Sequence, residues 1–272
     1  MTDGADDERT AAERRIAGIT AKLTRARDHL RRLTTEIDEY FAAEPITVWP
    51  DRRPDGVTWL RLHIAPPPIE LSVTVGDVLH QLRSATDHLA NGMVLAAGGQ
   101  PTQHTTFPVK NIPKKIVVEG GIASEALEAV VASQPYQLGD QADSHPLWVL
   151  HRLVNVDKHD QLHLMTQLVT ATSSYVHIPP SDGQGEVLLG GQLQFHVVGH
   201  GDVVGVFPVD GGLPDTIDSS VHGRRYLVLG GSGPWPTDEP VHELLERLWR
   251  YVAHTLVPTF QPFLLPPPST TR

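Results

Sequence analysis

The stretch "IAGITAKLTRARDHLRRLTTEIDEY", residues 16–40, decides the fold because its apolar side chains recur at alternating intervals of three and four. These side chains are Ile16, Ile19, Leu23, Ala26, Leu30, Leu33, Ile37 and Tyr40. The spacing is a heptad seam, which is typical of a helix that packs lengthwise on other helices. We therefore predict one unbroken helix over about residues 7–43. Its weakest point is Gly18, since glycine costs about 1 kcal/mol in a helix interior.

The composition is that of an ordinary globular protein. Of 272 residues, 40% are hydrophobic and 20% are charged, and no apolar run is long enough to span a membrane. The net charge of −10 argues against a broad DNA-binding surface, although a local basic groove is compatible with it. Cysteine is absent, which excludes disulfides and thiolate chemistry. With a polar, acidic N-terminus that is not a signal peptide, these features predict a cytoplasmic protein without a membrane association.

The segment after the long helix predicts a β-hairpin at about residues 46–65. Pro45 ends the helix, and the runs "ITVWP" and "VTWLRLHIA" flank the turn-forming sequence "DRRPDG". In the second run Trp59, Arg61 and His63 alternate with apolar residues, which is the period of a strand with one buried face.

Further helices follow the hairpin. The sequence "LHQLRSATDHLANGM", residues 79–93, again has apolar residues at intervals of four and three. A short helix is predicted at about residues 123–133. A third helix is predicted from Pro146 to about residue 164, because proline suits the first turn of a helix.

The C-terminal part changes character. The runs 169–178, 187–198, 203–209 and 224–229 are rich in β-branched residues and are separated by turn-forming sequences. A last helix is predicted at about residues 239–260, bent or ended by Pro258. The fold class is therefore α+β. A helical bundle with the inserted hairpin occupies residues 1–165, a small antiparallel sheet and a C-terminal helix occupy 166–265, and 266–272 form a frayed tail.

Two of the predicted helices carry chemically capable groups on one face. In the first, His80, Ser84, Asp87 and Asn91 fall in one narrow sector, and Arg83 is spaced to pair with Asp87. In the second, "LHRLVNVDKHDQLHL", residues 150–164, a polar stripe runs along the predicted helix. Its members are Arg152, Asn155, His159 and His163. We expect the two faces to meet.

Both helices also contain an arginine followed by a histidine after four to six residues, Arg83–His88 and Arg152–His159. This pattern resembles the HEPN superfamily of helical bundles, many of which are metal-independent ribonucleases. The resemblance implies that Arg83 and Arg152 hold phosphate, that His88 or His159 acts as general acid or base, and that Asp87 and Asn155 orient the imidazoles. It also implies RNA as the partner and a homodimer whose interface completes the site.

The stretches "GDVLHQLRSATDHLA" and "LHRLVNVDKHDQLHL" are together similar to a group of bacterial proteins that carry "LRSALDHL"-like and "NNIDKH"-like sequences. That similarity spans about residues 70–165 and implies that the two stretches work as a unit. It implies no activity.

Three other interpretations remain open. A His80, Asp87, His159 and His163 cluster could bind a metal or a small molecule, since both helices contain Asp-x-x-His. The pairs Arg83–Asp87 and His159–Asp157 could instead form a hydrogen-bonded polar layer that fixes the register of the bundle. The sheet could be a non-catalytic interaction module. Phosphate-loop, serine-elbow and zinc-protease motifs are missing from the sequence, so we expect no cofactor and no metal.

Overall fold

A computed structural model describes residues 3–55, 57–160, 162–169, 177–178, 187–188, 197–198, 201, 203–208, 224–230 and 239–265. The described part is α+β, as the sequence predicts. The predicted frayed tail, residues 266–272, lies outside it. None of the helices in the described part is both long and apolar enough to cross a membrane.

Helices make up most of the described chain. They are α1 (Asp3–Ala42), α2 (Ile69–Ala96), α3 (Ser124–Ala132), α4 (Pro146–His159), α5 (Val241–Tyr251) and α6 (Val257–Phe260), with a π-helical segment at Val252–Leu256 and 3₁₀ segments at Pro135–Ser144 and Gln261–Leu264. The single-rod prediction for α1 is confirmed. The seven seam residues from Ile19 to Tyr40 are all buried. Gly18 is tolerated inside the rod.

The described strands pair antiparallel in three sheets. They are β1 (Ile46–Arg52), β2 (Val57–Ile64), β3 (Leu164–Val169), β4 (His177–Ile178), β5 (Val187–Leu188), β6 (Val197–Val198), β7 (Val203–Pro208) and β8 (Arg224–Leu229). The predicted hairpin is β1–β2, and β7 extends it on the β2 side. A second sheet has the order β6-β3-β8, and β4 pairs with β5.

The chain forms two compact units. The first comprises Met1–Thr34, Ser72–Leu162 and Gly231–Arg272, and the second comprises Thr35–Leu71 and His163–Gly230. In the first unit the apolar faces of α2, α4 and α5 are buried, and the rings of Phe107 and Phe260 meet edge to face at 5.3 Å. In the second unit Tyr40 donates a hydrogen bond to the Ala65 carbonyl at 2.6 Å and lies 2.7 Å from the Thr166 hydroxyl.

One predicted helix end is wrong. Helix α4 ends at His159 rather than near residue 164, because Asp160 adopts an extended backbone and β3 begins at Leu164. Pro258 does not end the C-terminal helix, which reaches Phe260, as its predicted bounds require. The helix widens into the π-helical segment, where the Val257 N–H bonds to the Val252 carbonyl, and then continues to Phe260. Proline has no N–H and crowds the carbonyl four residues earlier, and a π-turn relieves that crowding.

Candidate functional site

Arg83 and Asp87 form the ion pair that their spacing predicts. The Arg83 Nη2 lies 2.9 Å from Asp87 Oδ1, and its Nε donates to Oδ2 at 3.1 Å. The same carboxylate accepts the backbone N–H of Phe107 at 2.9 Å, while Arg83 donates to the Phe107 carbonyl at 3.2 Å. Both polar groups of the Phe107 backbone are therefore bound to one pair of side chains. This arrangement, which we call the Phe107 clamp, fixes the chain after α2 against that helix.

The Phe107 clamp shields Asp87 from water. Burial raises the pKa of the Asp87 carboxyl, while the charge of Arg83 and the hydrogen bond from Phe107 act in the opposite direction. The charge of Lys158 on α4 also lowers this pKa, so the end of α4 is near enough for its charge to act on Asp87. The bonds to Asp87 and to the Phe107 carbonyl therefore occupy the Arg83 guanidinium in the free protein.

Helix α4 is fixed at its start by His145. The His145 Nδ1 accepts the Leu147 N–H at 3.1 Å, and its ring meets that of Tyr251 edge to face at 5.2 Å. Burial lowers the pKa of His145 and raises that of Tyr251 to about 12. The neutral imidazole caps the helix, and α4 is thereby attached to α5.

The outward face of α4 presents an aromatic ring, an imidazole, a guanidinium and an amide. Its buried residues are Leu147, Val149, Leu150, Leu153 and Val154. Between them lie Trp148, His151, Arg152 and Asn155, which are half-buried or exposed. This i, i+3, i+4, i+7 spacing places the four side chains in one stripe.

His151 lies in the most strongly perturbed environment of this stripe. Its pKa is lowered to about 4, first by burial and then by the positive charges of four side chains. Those side chains are Arg83 on α2, Lys110 on the segment between α2 and α3, and Arg152 and Lys158 on α4. We call these four residues the cationic cluster. His151 is therefore neutral at physiological pH, because a proton on it would add a fifth positive charge.

Three members of the cationic cluster lack a counter-ion. Lys110, Arg152 and Lys158 are exposed, and none forms an ion pair with another residue in the described ranges. In a chain of net charge −10, three exposed cations that form no ion pair and are near enough to act on His151 favour a local positive potential. The arrangement can bind an anion.

Asn155 contacts the His151 ring through its amide nitrogen. The Asn155 Nδ2 lies 3.1 Å from His151 Nε2. An amide nitrogen only donates, so Nε2 accepts and the proton of the neutral ring is on Nδ1. The ring can then donate that Nδ1–H to an anionic oxygen without changing its charge.

Helices α2 and α4 also meet near the start of α2. A methyl group at Gly76 would lie 2.7 Å from the Asp157 Oδ1, so only glycine leaves room for this carboxylate. Burial and the nearby charge of Asp77 raise the pKa of Asp157, while His80 lowers it. Asp77 and Asp157 therefore lie near each other where the two helices meet.

The predicted site residues divide into two groups. Arg83 and Arg152 belong to the cationic cluster, Asn155 contacts His151, and Asp87 holds Arg83. By contrast, His88 and His159 are exposed, and neither takes part in a hydrogen bond or an ion pair within the described part of the chain. The structure shows no bond joining either of them to the other motif, and Asp87 lies in the Phe107 clamp rather than beside an imidazole.

The geometry of the alternative His and Asp cluster differs from that predicted. His163 is not on α4, which ends at His159, so the two histidines are not one helical turn apart. Across the described residues no group of three or more His, Asp or Glu side chains is arranged to hold a metal ion.

The sequence motifs missed three residues that the structure brings together: His151, Lys110 and Lys158. His151 lies one turn before Asn155 and could have been placed on the same face by helical spacing alone. Lys110 could not, because it comes from a connection whose path the sequence does not specify.

Comparison of the chain with protein-family models, with curated proteins and with solved structures finds no match.

Proposed function

We propose that the protein is a HEPN-like RNA-binding protein that holds the phosphate backbone at the cationic cluster. One observation carries the proposal: three cations without counter-ions act on a neutral, half-buried histidine in an otherwise acidic chain. Protein contacts to nucleic acids are mostly made to phosphate, by Arg, Lys and polar side chains. The groups around His151 are of those types.

Each group has a defined part in this proposal. Arg152 and Lys158 contribute charge from successive turns of α4, and the Lys110 ammonium adds a further charge from another segment. A guanidinium binds two phosphate oxygens in a fork, whereas an ammonium acts as a point charge. The His151 Nδ1–H donates to a third oxygen. Bound phosphate offsets the cations, and the pKa of His151 then rises.

The Phe107 clamp has a structural role in the same proposal. Arg83 and Asp87 bind each other and the Phe107 backbone, so this pair holds the connection after α2 against that helix. Arg83 contributes charge near His151 but is not available to grip a ligand with its full set of donors. In this proposal the Phe107 clamp stabilises the fold, and the exposed members of the cationic cluster bind the RNA.

Fluorescence anisotropy with a labelled single-stranded RNA tests the binding. We expect the double variant Arg152→Ala/Lys158→Ala to bind at least about tenfold more weakly. Loss of two phosphate contacts also reduces the slope of log K against log salt by about 1.4 for a single strand.

The matched control is Arg14→Ala/Arg25→Ala, which removes two exposed arginines of α1 and the same total charge. Neither of these arginines is among the charges that act on His151. Equal losses in the two double variants would show a general charge effect and contradict a site at the cationic cluster. So would a wild-type chain that binds no RNA.

Metal-independent cleavage, which the HEPN resemblance implies, is measured in the same samples. The wild-type chain is incubated with a mixed RNA pool in the presence of EDTA. Cleavage that survives EDTA and is lost in His159→Ala supports the motif histidine as the acid or base. Loss in His151→Ala alone assigns that role to the cluster histidine. Binding without cleavage leaves the RNA-binding function standing and removes the nuclease activity.

A further inference from the structure

Trp148 forms a stacked column with its neighbours on α4. The indole and the His151 imidazole have ring centroids 5.4 Å apart and planes inclined by 28°. The Arg152 guanidinium carbon lies 5.9 Å from the Trp148 ring centroid. The indole is half-buried, so part of it is in contact with solvent beside the cationic cluster.

Both neighbours of Trp148 come from the following turn of α4. Side chains three and four residues later in a helix lie beside residue i, so His151 and Arg152 both contact the indole. Among the described residues no other ring or guanidinium stacks on it. The indole of Trp148 is therefore a planar apolar group that lies next to the His151 imidazole and the Arg152 guanidinium.

A planar aromatic side chain next to unpaired cations suits a nucleotide whose base is free of a partner. Base stacking on aromatic side chains is tolerant of sequence, while the adjacent positive charges hold the backbone. A base in a duplex is covered on both faces and does not offer its surface to an indole.

We infer that Trp148 is a stacking platform for an unpaired base and makes the site selective for single-stranded RNA. The inference rests on the proposed RNA-binding function and adds to it a residue that recognises the base rather than the phosphate. Phosphate contacts alone would bind a strand with or without its bases.

The test compares a short single-stranded RNA with an abasic strand of the same length and backbone. Wild-type protein is expected to bind the intact RNA about 5- to 100-fold more tightly than the abasic strand, the range typical of one stacked base. Trp148→Ala is expected to lose this difference, because it binds both strands as weakly as wild type binds the abasic one. Trp148→Phe retains an aromatic ring and is expected to keep most of the difference.

Trp49→Ala is the matched control, because Trp49 is 46% exposed on β1, in the other unit. Melting curves of all variants confirm that they fold. A Trp148→Ala chain that still distinguishes the two strands overturns the stacking platform and leaves the phosphate site standing. So does a wild-type chain that binds both strands equally. If wild type binds neither strand, the proposed function fails and the stacking platform fails with it.

Discussion

Replacing Asp87 by alanine removes the centre of the Phe107 clamp. The Asp87 carboxylate accepts hydrogen bonds from Arg83 and from the Phe107 N–H. After the substitution the Phe107 N–H has no acceptor there. The Arg83 guanidinium, whose side chain is only 15% exposed, has lost its counter-ion. A partly buried cation and a backbone donor would both be left without their partner.

The expected cost follows from that burial. Breaking a fully buried ion pair costs about 3–5 kcal/mol, because the remaining charge stays desolvated. The Asp87 side chain is 25% exposed, and Arg83 retains its bond to the Phe107 carbonyl, so water and that carbonyl reduce the cost. We expect Asp87→Ala to lower the free energy of unfolding by about 2–3 kcal/mol.

Urea denaturation at neutral pH measures the loss, and hydrogen exchange at the Phe107 amide locates it. Asp28→Ala is the control, because the Asp28–Arg31 pair lies on α1 with side chains 52% and 70% exposed. Exposed helical pairs of this kind contribute about 0.3–0.5 kcal/mol. The reasoning is refuted if Asp87→Ala costs no more than Asp28→Ala, or if exchange at Phe107 is unchanged.

Three further substitutions test the packing within the two units. Gly18→Ala is expected to stabilise the chain by about 1 kcal/mol, because nothing lies within 4 Å of the new methyl group. Gly76→Ala is expected to gain clearly less, since its methyl group must displace the Asp157 carboxylate, and equal gains would contradict the α2–α4 contact. In the second unit Tyr40→Phe leaves the buried Thr166 hydroxyl without the partner that Tyr40 provides and is expected to cost about 1–3 kcal/mol. An unchanged free energy of unfolding would show that this hydrogen bond is replaced in the variant.

The periodic spacing of apolar residues was sufficient to predict the helices and strands in which one spacing continues from end to end. The α1 seam holds a constant heptad over many turns, and Gly18 does not interrupt it because helix packing outweighs its propensity. Alternation identified β2, where Leu62 and Ile64 are buried and His63 is exposed. What alternation could not show is the strand β7 beside it, because pairing over a long sequence separation depends on the tertiary fold.

The misplaced end of α4 has a local cause. Leu162, Leu164 and Thr166 are buried while His163 and Met165 are exposed, which is a period of two. The change from a helical period to a strand period occurs within a few residues. Apolar residues at 162 and 164 fit either period, so the sequence extended the helix too far.

The candidate site was only partly predictable for a related reason. The i, i+4 spacing was enough to predict the Arg83–Asp87 pair. It could not show that the Phe107 backbone would bind both partners, nor that Lys110 would come near His151. Burial and charges from both its own helix and distant segments lower the pKa of that histidine, and sequence spacing specifies only the charges on its own helix.

The titration of His151 is the sharpest test of the proposed site, in which burial and the nearby cations keep this imidazole neutral and the cations bind phosphate. A pKa lowered from 6.5 to about 4 means that the unfolded chain takes up the proton first, so acidification between these values destabilises the folded chain. The measurement is the NMR titration of the His151 ring, assigned with His151→Gln, with and without single-stranded RNA. We expect a pKa of about 4 in the free protein and a higher value in Lys158→Ala and in the RNA complex. A pKa near 6.5 that changes with neither would contradict the proposed site.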